Sequence, residues 1–108
     1  FISHWYRDKG VFSLEETIHM LTAKQNRVLA LPDRGSLVVG NKADINVLDI
    51  SHIEERQPKR VVDFPGGAPR LIQRGVGYRN TLVNGQVILE NDELTGARAG
   101  HILRNRPA

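Results

Sequence analysis

Asn84-Gly85 stands between two apolar-rich runs, and no other pair of residues constrains the fold of this chain as tightly. A two-residue type I′ turn needs φ > 0 at both central positions, and Asn and Gly tolerate that backbone best. Asn80 to Val83 and Gln86 to Glu90 are therefore expected to pair as antiparallel strands, within a hairpin running from about Tyr78 to Glu90.

The segments before the hairpin read differently. Ser13-Leu14-Glu15-Glu16 is a capping box, in which the Ser13 hydroxyl and the Glu16 carboxylate each satisfy a free N–H at a helix start. Leu14, Ile18 and Leu21 follow at i, i+4 and i+7, the stripe of a helix. Thr22-Ala23-Lys24-Gln25 repeats the box pattern and predicts a second short helix carrying Val28, Leu29 and Leu31, ended by Pro32.

Beyond Pro32, Leu37 to Val39 is a short β-branched-rich run closed by the turn Gly40-Asn41-Lys42. Ile45 to Ile50 loses strict alternation at Leu48, which suits a strand partly covered on both faces. Residues 51–59 are polar, and Val61, Val62 and Phe64 suggest a third strand or extended run. Pro65 to Pro69 reads as a loop, Gly75-Val76-Gly77 as a flexible point, and the tail from Gly96 to Ala108 as irregular. The fold class that follows is α+β, with two N-terminal helices and then a mostly antiparallel β-sheet.

A chain of 108 residues is expected to form one domain with a modest core. It has no cysteine, which excludes disulfides and thiolate metal sites and fits a reducing, cytoplasmic setting. No apolar run approaches the length of a membrane span, and no signal-peptide layout is present. A chain opening on Phe1 rather than Met is expected to be a fragment or a processed piece.

The net charge of +3 invites a nucleic-acid partner. Against it, the arginines are scattered from Arg7 to Arg106, and only six aromatic residues are available for stacking. A helix-turn-helix built from the two helices is the alternative reading, as a small nucleic-acid-binding or protein-interaction module without enzymatic activity. Its second helix ends on Val28, Leu29, Ala30 and Leu31, leaving little polar face for base edges. No nucleic acid is therefore expected as partner, and no membrane.

Chemistry is sparse. His4, His19, His52 and His101 show neither His-x-His nor His-Glu-x-x-His spacing. Ser3, Ser13, Ser36 and Ser51 lie in no nucleophile elbow, and no glycine pattern forms a phosphate loop. Asp33, Asp44, Asp49 and Asp63 read as structural carboxylates, with Asp44 expected to accept backbone N–H bonds and fix its loop. The expected catalytic, cofactor-binding and metal residues are therefore none.

Taken together, Asp33-Arg34-Gly35, Gly40, Ala43-Asp44 and Asp49 resemble a segment near the C-terminus of amidohydrolases. Asp63-Phe64-Pro65-Gly66-Gly67-Ala68-Pro69-Arg70, Gln73-Arg74, Gly77-Tyr78 and Leu82-Val83-Asn84-Gly85 resemble the N-acyl-D-amino-acid deacylase branch. Leu94-Thr95-Gly96-Ala97, Gly100 and Leu103-Arg104 resemble that branch's closing pattern, with Ala99 departing from a frequent proline.

The resemblance implies a placement. Residues 1–31 would be the terminal helices of a (β/α)8 barrel region, and residues 32–108 half of a small composite β-sandwich with the C-terminal tail. The parent would hydrolyse the amide bond of N-acyl-D-amino acids, with zinc in its barrel activating a water and an aspartate moving the proton. Those residues lie upstream, so the segment itself is expected to be non-catalytic and to hold no cofactor. Its partner would be the rest of its own parent chain, and half a sandwich on its own is expected to self-associate through exposed edges.

Overall fold

The computed structural model describes residues 1–103; Arg104 of the closing sequence pattern and the end of the tail expected to be irregular lie outside the described residues. The capping box forms as expected. Glu16 N–H donates to Ser13 Oγ at 3.1 Å and Ser13 N–H to Glu16 Oε2 at 2.9 Å, opening helix α1 over Leu14–Leu21. Thr17, one turn in, is fully buried and turns its hydroxyl back onto the Ser13 carbonyl.

Helix α2, Ala23–Leu29, does form, but without the second capping box. The Thr22 hydroxyl donates instead to the Ile18 carbonyl of α1 at 2.7 Å, so it is committed to the preceding helix. The helix also stops before Pro32. Ala30 adopts a left-handed backbone, φ 52°, and Leu31 N–H bonds the Asn26 carbonyl in a Schellman closure. With Thr22 as the sole residue between α1 and α2, the chain lacks the turn of three or four residues that a helix-turn-helix needs.

The two expected N-terminal α-helices are present, and one further helical segment precedes them. Ile2–Asp8 forms a π-helical segment that precedes α1. Ile2, Trp5 and Tyr6 stand at i, i+3 and i+4, and tertiary contacts fix the segment in place. Ile2 is buried, Phe1 stacks on Phe12 at 6.0 Å, and Arg7 donates to the carbonyls of Ser51 and Ile53 at 3.3 and 2.6 Å.

Among the described residues the β region holds eight strands: β1 Ile45–Leu48, β2 Glu54–Glu55, β3 Lys59–Val62, β4 Pro69–Ile72, β5 Gly75–Val76, β6 Tyr78–Val83, β7 Gln86–Glu90 and β8 Glu93–Leu94. Every pairing is antiparallel. The strands form three separate sheets, one of four strands in the order β1-β6-β7-β8, and the two-stranded pairs β2-β5 and β3-β4. The hairpin turn is the expected one, with φ 49° at Asn84 and 76° at Gly85 between the facing pair Val83 and Gln86.

Three local readings need correction. Leu37 to Val39 belongs to no strand and lies exposed, because nothing among the described residues offers its backbone a ladder. Gly75-Val76 is strand rather than a flexible point, paired with Glu54-Glu55 inside the polar stretch. Pro69 opens β4, so the loop shrinks to a tight turn of 3-10 type at Pro65–Gly67.

Very little apolar surface is enclosed. The buried hydrophobic residues are Ile2, Ile53 and Ala99. The accessible surface is 8689 Å², against about 6,000 Å² for a folded monomer of this mass. The radius of gyration is 16.2 Å, against roughly 13 Å for a compact domain of this length. Among the described residues no helix is long and apolar enough to cross a membrane.

Gly77 shows how tight the contacts become where they do exist. Its φ is +93°, and a Cβ there would lie 2.6 Å from Ile53 Cα. Gly77→Ala is expected to lower unfolding free energy by about 2–4 kcal/mol in urea titration, combining backbone strain with a backbone clash. Gly40, at φ +98° with open space around it, gives the strain-only comparison, expected at about 1 kcal/mol on substitution to Ala. Equal losses at the two sites would show that the Ile53 contact adds nothing.

Candidate functional site

The side chains that draw distant segments together are carboxylates. Asp44, just before β1, accepts from Arg34 Nε at 2.8 Å through Oδ2 and from the Asn84 backbone N–H at 2.8 Å through Oδ1. Gly85 N–H adds a bond to the Ala43 carbonyl at 3.0 Å. Arg34 also reaches Asp33, so one guanidinium links both acids of the Asp33–Asp44 pattern. The Asn84 bond, then the Arg34 contact, hold the Asp44 carboxyl below its ordinary range. Asp44 thus fixes its loop as expected, against a partner forty residues away.

Asp49 collects three donors. His52 Nδ1 lies 3.0 Å and Arg79 Nη2 2.6 Å from Oδ2, and Ser51 N–H reaches Oδ1 at 3.2 Å. The His52 contact, then Arg79, lower its pKa from 3.8 to about 2. Asp63 takes a bidentate grip from Arg70, at 2.6 and 2.7 Å, and Arg70 lies 5.4 Å over the Phe64 ring. That grip holds the Asp63 carboxyl low in turn.

Two further anchors carry no signal in the sequence. Asp92 accepts the backbone N–H groups of Gly77 and Tyr78 at 3.1 and 2.8 Å, at the base of the hairpin. Asn84, besides its turn role, donates from Nδ2 to the Ala99 carbonyl at 2.7 Å and ties down the tail. The run Glu90-Asn91-Asp92-Glu93 marks a turn in sequence, and only the fold shows which acid faces inward.

What these groups can do chemically is limited. A general base at neutral pH needs a pKa near 7, and Asp44, Asp49 and Asp63 are pushed the other way. His52 and Asp49 look like a dyad, but Arg79 occupies the same carboxylate oxygen and Ser51 meets Asp49 through its backbone rather than its hydroxyl. Among the described residues no group of three or more His, Cys, Asp or Glu stands close enough to hold a metal ion. A cation at Asp49 would face the Arg79 guanidinium, so the donor set does not fit a metal.

With this geometry in view, comparison with known proteins is informative. The amidohydrolase family profile matches residues 1–89, and the chain belongs to that family. It is 29% identical over 107 residues to a D-aminoacylase of Alcaligenes xylosoxydans xylosoxydans, covering 99% of this chain and 20% of that protein. It is 31% identical over 103 residues to an N-acyl-D-glutamate deacylase of the same organism, covering 95% and 19%. An allantoinase of Solibacter usitatus (strain Ellin6076) is 29% identical over 97 residues, covering 84% and 20%. The chain thus spans about a fifth of the length of the curated relatives it matches. No solved structure matches. The chain is therefore an amidohydrolase-family sequence of D-aminoacylase-like character.

The Asp49 cluster sets a pH dependence. Its folded pKa, about 2, lies below the ordinary 3.8. The stabilisation is therefore fully present above the unfolded value and is lost as pH falls through the folded one. Asp49→Asn is expected to flatten the fall in thermal midpoint between pH ~4 and ~2 relative to the unsubstituted chain. Superimposable acid limbs would show that the His52 and Arg79 contacts do not stabilise the fold.

Proposed function

We propose that this chain is the C-terminal structural part of a metal-dependent amidohydrolase that cleaves the amide bond of N-acyl-D-amino acids, and that it is itself non-catalytic. Residues 1–31 would be terminal helices of the parent's barrel region, and residues 32–108 half of a small β-sandwich with the C-terminal tail, braced against the barrel. The metal, zinc in this reading, would sit on residues of the parent's barrel, where a bound cation activates water and polarises the acyl carbonyl. The setting would be cytoplasmic.

The observation that carries this reading is the mismatch between surface and mass. The chain leaves 8689 Å² accessible, and among the described residues only three hydrophobic side chains are enclosed. Val28, Leu29, Leu37, Val38, Val39 and Leu71 all lie bare. A surface of this kind is suited to cover by a larger body. The relatives' lengths leave room for one, and their names supply the substrate class.

The role of the clamps follows from the same reading. Asp44, Asp49, Asp63 and Asp92 fix loops and turns at defined angles without demanding a dry interior. A bracing surface needs that rigidity more than it needs reactive groups.

The test is amide hydrolysis on a panel of N-acetyl-D-amino acids, with this chain and the longer protein containing it measured side by side, each with Zn²⁺. The longer protein is expected to turn over the panel and this chain to give no rate above the buffer. Metal-dependent turnover by this chain alone would overturn the non-catalytic assignment. A longer protein inactive on the panel but active on cyclic amides would overturn the substrate class.

A further inference from the structure

The hairpin turn is also the most reactive dipeptide of the chain. Of the seven asparagines, Asn84 alone precedes a glycine. Gly85 has no Cβ, so its backbone nitrogen meets no steric screen as it approaches the Asn84 side-chain carbonyl. Attack there forms a bond from Gly85 N to Asn84 Cγ and breaks the Cγ–Nδ2 bond. Ammonia leaves with the proton that Gly85 N–H gives up, and water opens the resulting succinimide at either carbonyl. One water enters, one ammonia departs, and the neutral side chain becomes aspartate or isoaspartate.

In the folded chain both reacting groups are occupied. Gly85 N–H donates to the Ala43 carbonyl at 3.0 Å, and Asn84 Nδ2 donates to the Ala99 carbonyl at 2.7 Å. Ring closure takes the nitrogen from the first bond and the amide from the second.

The Asn84 amide has a further role. Thr95 is tied to β7 through the carbonyls of Val87 and Ile88. From Arg98 to Leu103, the one hydrogen bond among the described residues is the one that Ala99 accepts from Asn84. Ala99 is 7% exposed, whereas Ile102 is 86% exposed. The tail is thus seated at a single point, and the tether is the group that the reaction removes.

We propose that Asn84 is a self-modification site guarded by the tail, and that its conversion releases the tail irreversibly. An ionised aspartate only accepts hydrogen bonds, so it would face the Ala99 carbonyl with no proton to share. It also adds a negative charge to the residue whose backbone N–H the Asp44 carboxylate already holds. Isoaspartate disturbs more, because the main chain then runs through the side-chain carbon. That lengthens a turn whose geometry admits two ordinary residues between Val83 and Gln86. The inference does not depend on the hydrolase reading.

Ageing the 108-residue chain at about pH 8, folded and in urea, with peptide-mapping mass spectrometry, tests the guard. Asn84 is expected to gain about 1 Da at least ~tenfold faster in urea, since the folded chain reacts only through local opening. Ala99→Glu, which unseats the tail by placing a charge at a buried site, is expected to speed conversion in the folded chain at least about threefold. Trypsin cutting after Arg27 reports that the rest of that variant stays folded. The converted chain, separated by its added negative charge, is expected to be cut after Arg98 at least about tenfold faster than the unconverted chain. Equal ageing rates folded and in urea, an Ala99→Glu chain that ages like the unsubstituted one, or unchanged cutting after Arg98 would overturn the proposal. Should the converted chain lose its far-UV circular dichroism, Asn84→Gly replaces it, because glycine keeps the φ > 0 turn and removes the amide. Arg98 is then expected to open to trypsin with the fold intact, and unchanged cutting would overturn the tether.

Discussion

The bond between the Asp44 carboxylate and the Asn84 backbone N–H is the contact on which the β region depends. It joins the loop that follows α2 to the turn of the β6–β7 hairpin in the four-stranded sheet. Arg34 steadies the carboxylate from one side, and the Gly85–Ala43 bond repeats the link along the backbone. Strand β1 therefore enters the sheet already aligned with β6, and Ile45 meets Leu82 directly. Because the acid is ionised and its donors are fixed, the link holds without the apolar interior that a domain of this length would ordinarily have.

A chain so poor in core distributes its order among several such polar ties. Asp49 links the end of β1 to β6 through Arg79, Asp63 links the two strands of the ribbon through Arg70, and Asp92 closes the base of the hairpin. Arg7 does the same from the cationic side, reaching the Ser51 and Ile53 carbonyls. Membership of the amidohydrolase family and this geometry are consistent with each other.

What the sequence shows clearly is local. Ser13 with Glu16, and Asn84 with Gly85, each encode a geometry within four residues, and both form as read. The α+β class follows from them. Readings fail where a residue has two uses. Thr22 fits a second capping box in sequence, but its hydroxyl belongs to the preceding helix. Gly75-Val76 looks flexible because its partner, Glu54-Glu55, is too short and polar to announce itself as a strand. The π-helical start rests on Phe12, Ser51 and Ile53, contacts no spacing rule can see. Asp44 was legible as a loop anchor, but neither Asn84 as its donor nor Asp92 as a second anchor was, because each needs the hairpin in place first.

The division into three unconnected sheets has a consequence for how the molecule opens. Cooperative unfolding needs contacts that cross between elements, and here the β3–β4 pair has its contacts chiefly within itself. Its backbone amides can exchange with solvent through a small local opening that leaves the hairpin intact. Those of β6, bonded on both sides by β1 and β7, are released only when the four-stranded sheet comes apart. The chain is then a hierarchy of stabilities, with a slow-exchanging centre around Thr81 and Leu82 and a fast-exchanging periphery in the β3–β4 pair.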